Sequence, residues 1–320
     1  MKLFKTLSLL VAVALLALAV PASAAYQEKT FTIGAIPDQD PEKLNRLYGK
    51  LADYLSKELK VKVVYKPVQD YAASVTAFKV GDLQMVWFGG LTGVQARLQV
   101  DGAQAILQRD IDAEFRSVFI VNKATGLKPL EKLEDLSKLK GLTFTFGSES
   151  STSGRLMPQF FLGQAGLNTT QDFKGKVGFS GSHDATIKLV EAGSFDAGAL
   201  NAQVWDARVK ENKVDTKEVS EIFRSPTYYD YHWVIRPDVE KQLGTGFTKT
   251  VVAAFTKLSA EDKDQKEILD LFGAKKFITT ENKNYAGIEK VGREIGLIVA
   301  DAKPTAAATM AATPAATPSK

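Results

Sequence analysis

The sequence predicts an α/β protein built as two successive open-sheet units. Short β-branched segments alternate with stretches of helical apolar spacing, and Gly- and Ser-rich loops stand where strand gives way to helix. The alternation repeats after residue 117 and finishes in a run of helices. At 320 residues and 45% hydrophobic content, the chain is long enough for about two domains with real cores.

The ends set the compartment. Residues 1–24 read as a secretory signal peptide. Lys2 and Lys5 give a positive start, residues 9–20 are unbroken apolar, and Ala22-Ser23-Ala24 supplies the small-x-small cleavage pattern. That apolar run is short of the roughly 20 residues that span a bilayer, so no membrane anchor is expected. No cysteine stands at the cleavage site to take a lipid, and the expected destination is the periplasm. Residues 301–320 are mostly Ala, Thr and Pro. They read as a disordered tail that cannot bury enough apolar surface to order itself.

In the first unit, residues 31–37 form a short apolar strand, followed by the loop Asp38-Gln39-Asp40-Pro41. Leu44, Leu47, Tyr48, Leu51, Leu55 and Leu59 then recur at helical spacing. Residues 61–68 are β-branched, 71–80 helical, 83–88 strand, 91–100 helix and 105–108 strand. In the second unit, 117–122 is a strongly apolar strand. A charged helix-like stretch carrying Leu133, Leu136 and Leu139 ends at Gly141. Strand 142–146, helix 155–164, strand 176–179, helix 184–192 and strand 197–200 follow. Residues 232–235 are a last apolar strand, and helices at 248–258, 260–272 and 285–298 close the chain. Ser259 with Asp262 resembles a capping box for the second of these. Strands 117–122 and 232–235 are the candidates for crossing between two lobes. Lobe 1 is expected at 25–117 plus 231–300, and lobe 2 at 118–230.

Composition narrows the chemistry. With no cysteine there is no disulfide framework, thiolate metal site or Cys nucleophile. Two histidines, His183 and His232, are too few for a His-rich metal centre, and no metal or cofactor is expected. Forty-one Lys+Arg against 37 Asp+Glu leave +4, spread without a basic run, which argues against nucleic acid.

The loops at strand C-terminal ends carry the informative residues, because ligands of open α/β sheets sit there. Gly147-Ser148-Glu149-Ser150-Ser151-Thr152-Ser153-Gly154 lies between strand and helix, where backbone N–H groups are unpaired and the helix dipole is positive. Ser151, Thr152 and Ser153 add hydroxyls, and Pro158 places the helix start near Ser153. A tetrahedral oxyanion fits this arrangement; ordinary N-capping reads the same residues. The Gly-x-x-x-x-Gly-Lys-[Ser/Thr] phosphate loop is missing. In Gly181-Ser182-His183-Asp184, Ser182 reads as a cap and His183 as an outward-pointing donor whose pKa an anion would raise. Phe88-Gly89-Gly90-Leu91-Thr92-Gly93 permits close backbone approach. Tyr71 begins a helix, where its hydroxyl is a donor or its ring packs. Asp230, in Tyr228-Tyr229-Asp230-Tyr231-His232-Trp233, accepts a ligand proton or caps a turn.

Together these residues resemble the phosphonate/phosphite-binding, PhnD-like family of ABC-transporter solute receptors, over about residues 31–298. The landmarks are Tyr71-Ala72-Ala73, Met85-Val86-Trp87-Phe88-Gly89, Ser151-Thr152-Ser153-Gly154, Gly181-Ser182-His183-Asp184-Ala185 and Tyr229-Asp230-Tyr231. The resemblance implies a type II periplasmic-binding-protein fold, with two α/β lobes, two crossing strands and a ligand cleft. It implies that Tyr71, Ser151, Thr152, Ser153 and His183 surround a small oxyanion and that Asp230 is a cleft carboxylate. Phe88, Gly89, Gly90, Thr92 and Gln203 form a second tier. The partners implied are a membrane permease and a cytoplasmic ATPase; the receptor is expected to be a monomer and not an enzyme.

Two departures bear on the ligand. Members often carry Gly-Pro-x-Ser-Tyr where this chain has Gly89-Gly90-Leu91-Thr92-Gly93, so Gly93 replaces a tyrosine. Gln203 falls near the acidic residue that aminophosphonate binders use. Both point away from an aminoalkylphosphonate. The runs Trp87–Arg97 and Gly147–Arg155 look most similar to the branch labelled selenate-binding, which makes selenate the expected anion and phosphonate or phosphite the alternative. A sensory binding module is a second class. An exported hydrolase using Ser151, His183 and Asp230 is a third, against which stands the missing Gly-x-Ser-x-Gly elbow.

Overall fold

The computed structural model describes residues 29–299; the leader expected at 1–24 and the tail expected at 301–320 lie outside them. Strand β1 (Thr30–Ala35) buries Phe31 and Ile33 and runs into the Asp38 loop. Helix α1 (Pro41–Leu59) starts there because Asp40 accepts the Lys43 N–H and Pro41 needs no donor. Its buried face is the leucine series read from the sequence. Then come β2 (Lys62–Tyr65), α2 (Tyr71–Val80, capped by Asp70), β3 (Met85–Phe88), α3 (Gly90–Gln99) and β4 (Gln104–Arg109).

The second unit holds β5 (Ser117–Asn122), β6 (Phe144–Phe146), α4 (Met157–Gln164), β7 (Gly178–Phe179), α5 (His183–Glu191), β8 (Ala197–Asn201), α6 (Ala202–Lys210) and β9 (Val219–Arg224). The chain then returns through β10 (His232–Ile235), α7 (Val239–Leu243), α8 (Phe247–Thr256), α9 (Lys263–Phe272), β11 (Phe277–Thr279) and α10 (Ala286–Glu294).

These strands make two sheets, ordered β11-β4-β10-β3-β1-β2 and β7-β6-β8-β5-β9. In each, an antiparallel strand interrupts a parallel set, β10 between β3 and β4, and β5 between β8 and β9; edge strand β11 also pairs antiparallel with β4. The larger lobe packs Trp87, Trp233, Phe255, Phe272 and Phe277 edge-on or tilted. The smaller packs Phe119, Phe144, Phe146 and Phe173.

The passage between sheets differs from the sequence expectation. Strands β5 and β10 lie wholly inside their own sheets; residues 110–116 and 225–231 make the crossings. These two segments pair antiparallel at Phe115 and Tyr228, with backbone bonds of 2.9 and 3.0 Å. The apolar strands look like crossings in the sequence because each directly follows one.

Other differences are local. The stretch around Leu136 is a 3-10 helix, Leu133–Leu139. Asp262, not Ser259, caps α9 by accepting the Gln265 N–H, so the helix starts at Lys263. Strand β9 and helix α6 are absent from the sequence reading. The mixed burial of Val219–Arg224 hides its alternation, and α6 begins directly on the last residue of β8 without an intervening loop.

Candidate functional site

The loop after β6 has a physical reason for its shape. Pro158 has no N–H to give the Gly154 carbonyl, which instead accepts from Gly147 N–H at 2.8 Å. The first turn loosens into a π-helix, Thr152–Leu156, which closes through Leu156 N–H to the Ser151 carbonyl. Ser151 caps it by accepting the Gly154 N–H at 2.9 Å. The helix expected at 155–164 therefore begins earlier, and Ser151, Thr152 and Ser153 are all buried at its positive end.

Thr152 faces the other lobe. Its Oγ1 accepts the Leu91 N–H at 2.9 Å, while Asp230 Oδ1 accepts the neighbouring Gly90 N–H at 2.9 Å. Both oxygens lie over Gly89, where a Cβ would meet Thr152 Oγ1 at 2.9 Å and Asp230 Oδ1 at 3.2 Å. Only glycine allows this approach.

Three buried side-chain atoms around this junction, Tyr71 Oη, Ser153 Oγ and Asp230 Oδ2, make no hydrogen bond of normal geometry, although Tyr71 neighbours Ser151 and Ser153 neighbours Tyr228. Interior polar atoms are nearly always hydrogen-bonded, so three orphans in one place call for a polar guest. Burial raises the Asp230 carboxyl pKa to about 7, partly offset by the bonds from Gly90 and Thr152. Burial likewise holds the Tyr71 phenol well above its ordinary pKa, so it stays a donor. The starts of α2, α3, α5 and the Thr152 turn bring Tyr71, Gly90, His183 and Thr152 into this region, and their dipoles favour an anion.

His183 departs from expectation. It is buried rather than outward-pointing, and both ring nitrogens are engaged. Nδ1 accepts the Asn201 N–H at 3.4 Å, so Nε2 carries the proton and donates to Tyr231 Oη at 3.2 Å. Tyr231 in turn donates to Asp38 Oδ2 at 2.7 Å. Burial lowers the His183 pKa, against the pull of Asp38 and Asp184. The relay Asp38–Tyr231–His183–Asn201 escaped the sequence reading as a unit. Its one signal was that Asp38 follows the end of β1 and Asn201 is the last residue of β8.

The second tier divides. Gly89 and Gly90 belong to the junction; Thr92 bonds back to the Gly89 carbonyl within the first turn of α3. Phe88 is core, edge-on to Phe78. Gln203 stands apart, accepting from Arg109 Nη1 at 2.6 Å and donating to the Gly273 carbonyl at 2.9 Å. It lines a surface cavity of about 640 Å³ between the lobes, with Lys43, Arg46, Arg109, Arg208 and Glu211.

Two α/β lobes on paired crossovers, with a polar junction between them, define a periplasmic binding protein of type II fold. A family model described as "ABC transporter, phosphonate, periplasmic substrate-binding protein" matches residues 33–285. A relative from Prochlorococcus marinus (strain MIT 9301), "Probable ABC transporter phosphite binding protein PhnD1", is 51% identical over 271 residues, 84% of this chain and 91% of its own. The solved structure of PhnD1 from Prochlorococcus marinus (MIT 9301), in complex with methylphosphonate, aligns with a TM-score of 0.83 over 85% of this chain and 100% of that one. The phosphonates-binding periplasmic protein of Escherichia coli (strain K12) is 27% identical over 257 residues, 79% of this chain and 73% of its own. The chain belongs to the periplasmic substrate-binding proteins of ABC phosphonate transporters. That family is periplasmic, works with a membrane permease and consists of transport proteins rather than enzymes. Among the described residues no helix is long and apolar enough to cross a membrane.

Proposed function

We propose that this receptor captures a phosphonate or phosphite and delivers it to its permease by closing the two lobes around it. The carrying observation is Asp230, a buried carboxyl with a pKa of about 7 and a free Oδ2 at the junction. A phosphonate or phosphite carries a proton near neutral pH, which such a carboxylate accepts. Selenate and sulfate are fully ionised and offer it none, so they would bind only once Asp230 itself has taken up a proton. The selenate reading therefore yields to its alternative, in keeping with the names carried by the relatives.

In this reading Tyr71 and Ser153 donate to the anion, the Thr152 turn supplies backbone N–H groups, and Asp230 takes the proton. Ser151 holds the turn, and His183 acts through Tyr231. Tyr71 and Gly89–Gly90 come with the larger sheet, residues 151–153 with the smaller, and Asp230 with the crossing segment between them. Donors from both sides meet one anion only in the closed form, which favours closure. Residues 110–116 and 225–231 are the hinge. We assign lobe 1 to residues 25–117 plus 231–300 and lobe 2 to 118–230, with cleavage after residue 24 and a monomeric mature receptor.

Calorimetric titration of ligand-stripped protein tests the reading. Methylphosphonate and phosphite are expected to bind tightly, with selenate and sulfate at least tenfold weaker. Selenate binding as tight as phosphite would sink the Asp230 argument.

A further inference from the structure

His232, the first residue of β10, is buried and lies beside the junction rather than in it. Its Nδ1 is 3.0 Å from the Asp230 carbonyl, an acceptor, so Nδ1 carries the proton. Nε2 is buried without a partner, as suits the lone-pair nitrogen of a neutral ring. Burial holds the ring neutral, lowering its pKa to about 3 with help from Arg97. One face stacks on Tyr285, 3.7 Å between centroids.

The ring also presses on Gly93. A Cβ there would meet His232 Nε2 at 2.3 Å and Cε1 at 2.4 Å. Real Cβ atoms do not approach so closely, so positions 93 and 232 compete for one space. Asp230 is gripped on its other side as well, its N–H donating to the Asp112 carbonyl at 3.0 Å. With both flanking peptides fixed, its carboxyl is aimed at Gly90.

We propose that His232 is a positioning residue for ligand capture: its Nδ1–H splints the Asp230 peptide to β10, and Gly93 is the counterpart that admits the ring. This rests on the ligand-binding role given to Asp230 above. The splint matters because 225–231 is a crossing segment. Without it, the residue that receives the ligand's proton would shift with every hinge movement.

Two measurements on the full protein test this. One is the amide NMR signal of Gly90 without ligand, which reports the bond to Asp230 Oδ1. The other is affinity for methylphosphonate. His232→Leu removes the donor; His232→Asn places an N–H donor close to where Nδ1 stands. The leucine variant is expected to move the Gly90 signal and weaken binding about tenfold while the rest of the spectrum stays native. The asparagine variant is expected to restore the signal and recover binding to within about threefold of wild type. Gly93→Ala alone is expected to mimic His232→Leu, because its methyl displaces the ring. Combined with His232→Asn, it should return to the level of that single variant, since asparagine lacks the colliding ring atoms.

An unmoved Gly90 signal with unchanged affinity in His232→Leu overturns the inference. So does a Gly93→Ala defect that His232→Asn leaves uncorrected, a comparison that decides even where the leucine variant does not fold. If the wild type binds no phosphorus oxyanion, the receptor reading fails by itself. The Gly90 signal across the variants still decides whether His232 positions Asp230.

Discussion

The junction around Asp230 and the cavity around Gln203 both lie between the lobes, and they are opposites. The cavity encloses about 640 Å³ and is rich in charge. Yet much of that charge is spent internally: Arg208 pairs with Asp184 and Glu211, Lys213 with Glu211, and Arg109 with Asp112. The junction has no ion pair of its own but keeps three buried polar atoms without partners. In the proposed reading it is a cluster of unsatisfied buried groups, and not volume or charge, that marks the place of the guest.

The sharpest way to break that contrast is to change the orphan acid. Charge-assisted hydrogen bonds are worth about 1.5–3 kcal/mol, so Asp230→Ala should weaken methylphosphonate binding about 10- to 150-fold. Asp230→Asn should narrow the preference for phosphonate over selenate. Calorimetry on both variants reads the two effects, and an unchanged preference would place the ligand elsewhere.

Removing the Ser153 hydroxyl should cost about tenfold in affinity, since it deletes one donor to a charged ligand. Equal affinity in wild type and Ser153→Ala would remove Ser153 from the shell.

The acid also has a signature without ligand. Its folded pKa is about 7 against an ordinary 3.8, so the folded state holds this proton more tightly than the unfolded. That contribution is fully present at low pH and is lost as pH rises through about 7. Asp230→Asn should therefore melt above wild type at pH 8, with the gap closing towards pH 4; thermal melts across that range show whether it does.

The smallest effect belongs to the cavity. Gln203→Ala deletes two neutral or singly charged bonds across the lobes. It should weaken every bound anion about two- to tenfold and leave their ranking intact. A changed ranking would make the cavity part of the specificity site.

What the sequence made legible was local. The Ser151–Ser153 turn could be read because cap, glycine and Pro158 lie within eight residues of one another. The alternation of strands and helices was likewise visible for most of the chain, but not at β9, α7 or β11, which are short or only partly buried. The relay behind Tyr231 was not, because Asp38 and Tyr231 are 193 residues apart and meet only once both sheets have formed. The crossings were displaced onto their apolar neighbours for a related reason. Hydrophobicity marks what is buried inside a sheet, whereas the segments that leave a sheet are tied to each other by a few backbone bonds, at Phe115–Tyr228 and at Asp112–Asp230. His183 shows the same limit in one residue: its place beside a helix start was plain, but its partners were distant.

Several ties between the lobes join protein to protein. Leu91 N–H meets Thr152, His183 N–H meets the Asp38 carbonyl, Asp40 N–H meets Asp184, and Gln203 meets Gly273. None of them needs cargo. On the closing mechanism proposed above, such ties stabilise the shut conformation before any anion binds, and the anion adds the remainder. Such a receptor gains sensitivity to scarce nutrient, because less binding energy is diverted into shutting the cleft. On that mechanism empty receptors would also close at times, and the transporter would have to tell full from empty by how long each stays shut.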